Sequence, residues 1–138
     1  MVVPESITWG DAKAAAEKAG GYLATISSAA ENAFVYQLAS KNPGLWHMNP
    51  WNDRLGPWLG GHQTAAGWRW VTGERWDYTN WAPGEPNSTA AAVQDKLMFF
   101  GGRRLTGPQW ADGRDSDAIT GYIVEYDHEP VTPPARKQ

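Results

Sequence analysis

The sequence predicts an α+β fold: two helices early in the chain, then short antiparallel strands around a long loop, then a closing strand. Three observations carry this expectation. Two helix-start signatures, Thr8 with Asp11 and Ser28 with Glu31, each precede a run of helix-forming residues. Helical periodicity disappears after residue 44, where short apolar segments alternate with turns. The stretch from Arg75 to Val93 has no periodic pattern and is interrupted by Asn80, Pro83, Gly84, Pro86, Asn87 and Ser88. Loops of that length in compact domains are usually functional.

The elements follow in order. The first helix is expected from about Trp9 to Ala19, ended by Gly20-Gly21, with a small inward stripe of Ala12, Ala15, Ala16 and Ala19 that can lie close on a sheet. Tyr22 to Ile26 reads as a short strand. A second helix runs to about Ser40, with Ala30, Phe34 and Leu38 recurring at helical spacing, and Asn42-Pro43-Gly44 stops it. Strands are then expected at Trp58-Leu59-Gly60, Trp68 to Val71, Lys96 to Phe100 and Gly121 to Tyr126. Trp68 and Trp70 alternate with their neighbours as in a half-buried strand. Residues 1–129 form one domain, and Pro130 to Gln138, with three prolines and a basic end, forms a tail or linker.

Composition narrows the function classes. At 138 residues the chain has the length of a single domain, with 41% hydrophobic and 20% charged residues, as in soluble globular domains. Nine tryptophans supply core area where regular structure is sparse. The net charge of −3 and the lack of a basic stripe argue against nucleic acid; Arg103-Arg104 is too short for a phosphate track and reads as a solvated turn. No apolar run is long enough to insert in a membrane, and no cysteine is present for disulfides or thiolate metal sites. His47, His62 and His128 are dispersed, with no acid or serine at catalytic spacing. No phosphate loop or nucleophile–base pair is found, so no enzymatic activity is expected.

Chemistry concentrates in Trp81-Ala82-Pro83-Gly84-Glu85-Pro86-Asn87. A carboxylate and a carboxamide flank a proline, either as a tight turn or as two oxygen-bearing side chains held for a ligand. Asp112, Asp115 and Asp117 form an acidic stretch that reads as a solvated loop in preference to a second metal site. Trp58 is expected in the core; Trp46 and Trp51, flanked by Asn, Pro and His, are equally readable as core or as an exposed platform for a sugar face.

Taken together, ITWGDAKAAAEKAGGYLATI, WLGG, GWRWVTGERWDYTNWAPGEPN and GYIVEY, in that order, resemble the C-type lectin-like domain over about residues 2 to 128. The resemblance implies the C-type lectin-like fold: two helices flanking short antiparallel sheets, with a long ligand-binding loop. It leaves Val2-Val3 as the first strand, paired antiparallel with Ile123-Val124-Glu125. Ala16 and Val124 match the positions of the family's usual cysteine pair, and the lack of cysteine resembles bacterial versions of the domain. In the family's sugar-binding members, Glu-Pro-Asn ligates calcium with a later acid and a Trp-Asn-Asp stretch. Calcium takes about 6–8 oxygen ligands at roughly 2.3–2.6 Å, and vicinal sugar hydroxyls can supply two of them.

Carried onto this chain, the resemblance implies carbohydrate-binding residues Glu85, Asn87 and Asp112, and calcium ligands Glu85, Asn87, Gln94 and Asp112. Asp95 is an alternative to Gln94, and Asp115 and Asp117 are possible compensating charges. It also implies a cis Glu85–Pro86 bond and a preference for mannose, glucose or GlcNAc. Two departures weaken calcium: Gln94 stands where an acid is usual, and Trp110-Ala111-Asp112 lacks the asparagine. Trp51-Asn52-Asp53 spells the motif literally but comes before the loop and reads as a coincidental turn. The implied function is a weak calcium-dependent carbohydrate-binding module, extracellular or cell-surface, within a larger exported protein. The alternative is a protein-interaction or structural module with a degenerate calcium site.

Overall fold

A computed structural model describes residues 1–89, 93–102, 106–118 and 120–127. Arg103-Arg104, His128 and the expected tail from Pro130 lie outside the described residues. The chain folds into strands β1 (Val2–Ile7), β2 (Tyr22–Leu23), β3 (His47–Met48), β4 (Arg54–Thr64), β5 (Gly67–Trp70), β6 (Lys96–Gly101), β7 (Gln109–Gly113) and β8 (Thr120–Glu125), with helices α1 (Trp9–Lys18) and α2 (Ala29–Ser40).

Both helices begin where the sequence places them. Thr8 Oγ1 accepts from the Asp11 N–H (3.2 Å) and Ser28 Oγ from the Glu31 N–H (3.1 Å), each satisfying a donor left free by the first helical turn. The inward faces differ from expectation. In α1 the buried residues are Trp9, Ala12 and Ala16, while Ala19 caps the C-terminus and is exposed. In α2 they are Asn32, Val35 and Ala39, whereas Ala30 and Phe34 face outward and Leu38 is half-buried. The helix is rotated because Asn32 has partners inside: Oδ1 accepts from the Trp110 indole N–H (2.9 Å) and Nδ2 donates to the Pro108 carbonyl (3.0 Å).

The sheet runs β1-β8-β4-β6-β7, with β2 on β8 and both β3 and β5 on β4. The expectation of purely antiparallel strands needs correction: β4 and β8 meet in parallel at Trp58 and Tyr122. The first strand also extends beyond Val2-Val3. It reaches Ile7, pairing Val2 with Ile123, Val3 with Tyr122 and, after an irregularity, Ile7 with Thr120. Pro4 is tolerated because β1 is an edge strand.

Two apolar clusters fill the interior. In one, Ala16 and Val124 pack with Trp9, Trp58 and Met98, as the antiparallel closure of the chain's two ends requires. Gly60, at the centre of β4, is needed for close approach: a side chain there would run into the Leu23 carbonyl oxygen. In the other cluster, Trp110 is fully buried, with its ring centroid 5.8 Å from Trp70 and 5.9 Å from both Trp76 and Trp81. This aromatic group lies beneath the long loop and fixes its base.

Asn32→Ala strands the buried Trp110 indole donor, while the Pro108 carbonyl keeps its bond from Asn80 Nδ2 (2.8 Å), so it should destabilise the fold by roughly 1–3 kcal/mol. Urea denaturation should show a lower midpoint at unchanged slope. An unchanged midpoint would contradict the role given to Asn32.

Candidate functional site

The loop after β5 has little regular structure among its described residues, yet it is anchored at one strand. The Trp110 N–H donates to the Asn80 carbonyl (2.9 Å), and the Ala82 N–H donates to the Trp110 carbonyl (2.9 Å). Trp81 and Trp110 thereby form a parallel bridge. Two residues along β7 from Trp110, alternation brings Asp112 to the same strand face. Asp112 is paired with Leu97 across the sheet and is only 5% exposed.

Beyond the bridge the loop turns at Gly84, and the Glu85–Pro86 bond is cis, as expected from the sequence. The Asn87 N–H donates to both Asp112 carboxylate oxygens, at 3.1 and 3.2 Å. The loop tip is thus tied to the strand through a buried carboxylate. Ser88 Oγ accepts from the Gln94 N–H (2.9 Å), holding the loop's return beside its outward limb.

These residues share one cavity of about 320 Å³, lined by Glu85, Asn87, Gln94, Ala111 and Asp112. That size falls at the lower end of ordinary ligand sites, roughly 300–1,000 Å³. Glu85 Oε1 is buried in it without a hydrogen-bond partner. Burial pushes the Glu85 carboxyl from its ordinary 4.5 up to about 8; the Asp112 carboxyl beside it adds to the rise, and Asp53 adds a smaller push. The carboxyls of Asp112 and Asp53 thus disfavour ionisation of Glu85.

Glu85, Asn87, Gln94 and Asp112 are therefore brought to one place. Asp95 is not: its carboxylate pairs with Lys96 at 3.2 Å. Asp115 serves the fold, its Oδ1 accepting from the Gly10 N–H (2.9 Å) in the first turn of α1. Asp117 does line the cavity, and its Oδ2 accepts from the Arg114 N–H (3.2 Å). Among the described residues, no group of three or more His, Cys, Asp or Glu is arranged to hold a metal ion. Besides Glu85 and Asp112, the cavity takes carboxylates from Asp53 and Asp117, supplemented by the amides of Asn87 and Gln94.

The reading of Trp51-Asn52-Asp53 as coincidental needs revision. It is a turn, between β3 and β4, but Trp51 and Asp53 line the same cavity. The ambiguous tryptophans separate: Trp46 is core at 7% exposure and Trp51 is 77% exposed. A sequence signal was available, since a tryptophan set between Asn49-Pro50 and Asn52-Asp53 belongs to a turn with no core side to enter.

If Glu85 keeps a proton that the unfolded chain has lost, its contribution to stability is complete below about pH 4.5 and disappears as pH rises towards 8. Burial also raises Glu125, so it adds to the same trend. In chelator-treated protein, melting temperature should therefore fall between about pH 5 and pH 8, less steeply in Glu85→Gln. Identical slopes would contradict the placement of Glu85.

The model of the lectin C-type domain family matches residues 5–117. C-type mannose receptor 2 of Mus musculus is 26% identical over 145 residues, covering 95% of this chain and 9% of the receptor, so the chain spans under a tenth of that relative. The mouse scavenger receptor C-type lectin carbohydrate-recognition domain superposes with a TM-score of 0.71 at 23% identity, covering 95% of this chain and 89% of that one. A calcium-independent type II antifreeze protein superposes at 0.67 with 24% identity, covering 89% and 81%. At these identities the two structures share the fold with this chain.

Proposed function

Because the chain belongs to the C-type lectin domain family, matched from residue 5 to residue 117, we propose that its long loop binds carbohydrate through calcium. In this reading Glu85, Asn87, Gln94 and Asp112 hold the ion, and Glu85, Asn87 and Asp112 face the sugar. The observation that carries it is the buried, unpartnered Glu85 Oε1 beside Asp112. Calcium would place a positive charge among these carboxyls and offer coordination positions to two sugar hydroxyls. The available donors suit it, since calcium takes oxygen from carboxylates and amides alike.

The chain's own groups set the preference. The Glu85 carboxylate accepts and the Asn87 amide donates, an order that the family resemblance associates with the equatorial 3- and 4-hydroxyls of mannose, glucose or GlcNAc. The mannose receptor's name accords with it. Binding is weak for two reasons. Gln94 contributes no charge, and Ala111, although it lines the cavity, contributes neither a ligand nor a hydrogen bond to sugar. We place the domain in a larger exported protein of bacterial type, extracellular or at the cell surface, with no membrane insertion by this domain.

A second reading is favoured by the same two positions: a protein-interaction or structural module whose calcium site has decayed. The calcium-independent antifreeze protein among the structural neighbours accords with that outcome. The two readings part on calcium. The first expects millimolar calcium to raise the melting temperature and to be required for mannose binding. Ala111→Asn restores one bond to an ion-bound group, about 1.5–3 kcal/mol, and should tighten mannose binding by about one to two orders of magnitude. Exchanging Glu85→Gln together with Asn87→Asp should move preference towards galactose. No calcium-dependent stabilisation, with Ala111→Asn silent, would leave the second reading in place.

A further inference from the structure

Of the nine tryptophans, eight are buried or half-buried, while Trp51 is 77% exposed. Its turn is nonetheless closely held. Asn49 Oδ1 accepts from the Trp51 N–H (2.9 Å) and the Asp53 N–H (3.0 Å). The Asn49 N–H donates to the Asp53 carbonyl (2.9 Å), and the Asn52 N–H donates to the Asn49 carbonyl (3.0 Å). Asn52 takes a left-handed conformation at φ 68°, which asparagine tolerates better than most residues. Below the turn, β3 and β4 pair His47 with Leu55 and Met48 with Arg54. A large apolar ring is therefore presented to solvent by a backbone with fixed direction.

Single exposed apolar side chains are ordinary on protein surfaces. Position distinguishes this one: Trp51 lines the cavity that also holds Glu85, Asn87 and Asp112, although it comes from a hairpin remote from them in sequence. An indole offers a flat face to the C–H side of a pyranose ring. Its two side-chain torsions cost little entropy to fix. The other cavity residues from this turn, Asn49 and Asp53, are polar, which suits a hydroxyl-rich ligand better than an apolar peptide anchor.

We infer that the Asn49–Asp53 turn is a second wall of the site, with Trp51 stacking on the C–H face of the bound glycan. This rests on the carbohydrate reading above and adds to it a specificity residue outside the long loop. A glycan would thus be held by two independent means: its hydroxyls at the loop carboxyl and amide, and its ring face at the hairpin.

Mannotriose in millimolar calcium is the probe, with wild type, Trp51→Ala and Trp51→Phe compared. Trp51→Ala should keep the calcium-induced rise in melting temperature and bind mannotriose about tenfold more weakly by calorimetry, with Trp51→Phe in between. Iodide quenching of tryptophan fluorescence should fall when mannotriose is added to wild type, and should not change in Trp51→Ala. If wild type binds mannotriose and Trp51→Ala binds it equally well, this inference alone is overturned. If wild type responds to neither calcium nor mannotriose, the carbohydrate reading fails and takes the inference with it.

Discussion

Trp110 holds the long loop to the body of the protein on both its backbone and its side-chain edges. Its N–H and carbonyl bond to Asn80 and Ala82 of the loop, and its indole N–H bonds to Asn32 of α2. Around the ring lie Trp70, Trp76, Tyr78 and Trp81. A loop with so few regular hydrogen bonds of its own needs such an anchor, because ordering each residue costs about 1–2 kcal/mol of backbone entropy. The aromatic contacts and the two backbone bonds provide it at one strand. With β7 fixed, Asp112 stands at a set height two residues further on, and the loop tip closes on it through the Asn87 N–H.

Consequences for the site follow from burial. Asp112 is nearly inaccessible, and Glu85 is brought beside it with one oxygen unpartnered. Two carboxyls in that position cannot both ionise cheaply, and Glu85 retains its proton to higher pH. The anchoring that orders the loop therefore also creates an electrostatic deficit at its tip. In the proposed calcium site a divalent cation would offset such a deficit, and the neutral side chains of Gln94 and Ala111 would limit how well it does so.

The sequence made the helix starts legible because Thr8 and Ser28 act locally, through hydrogen bonds within one turn. The strands rich in tryptophan and the loop around Glu85-Pro86-Asn87 were legible for a similar reason, as composition and turn residues mark them. The facing of α2 was not. Its buried position Asn32 looks polar in sequence, and only the Trp110 indole and the Pro108 carbonyl make it an interior residue. The parallel contact of β4 with β8 depends on pairing between residues far apart in the chain, which periodicity does not encode. At the site, Glu85, Asn87, Gln94 and Asp112 were placed by motif order. The roles of Asp115 and Asp95 were decided instead by partners elsewhere, the Gly10 N–H and Lys96. The exposure of Trp51 is legible in its flanking turn residues, Asn49-Pro50 and Asn52-Asp53, whereas its share in the cavity is a tertiary property.

The most direct test of this account is the number of protons released when calcium binds. In the proposed site, ligation by Glu85 would require its carboxylate, while burial beside Asp112 pushes its pKa up to about 8 without metal. Calorimetric titration near pH 6, repeated in buffers of different ionisation enthalpy, counts the protons. The account predicts about one proton released per calcium in the wild type, with both the release and most of the affinity lost in Glu85→Gln. Calcium binding with no proton release, and with the same affinity in Glu85→Gln, would contradict it.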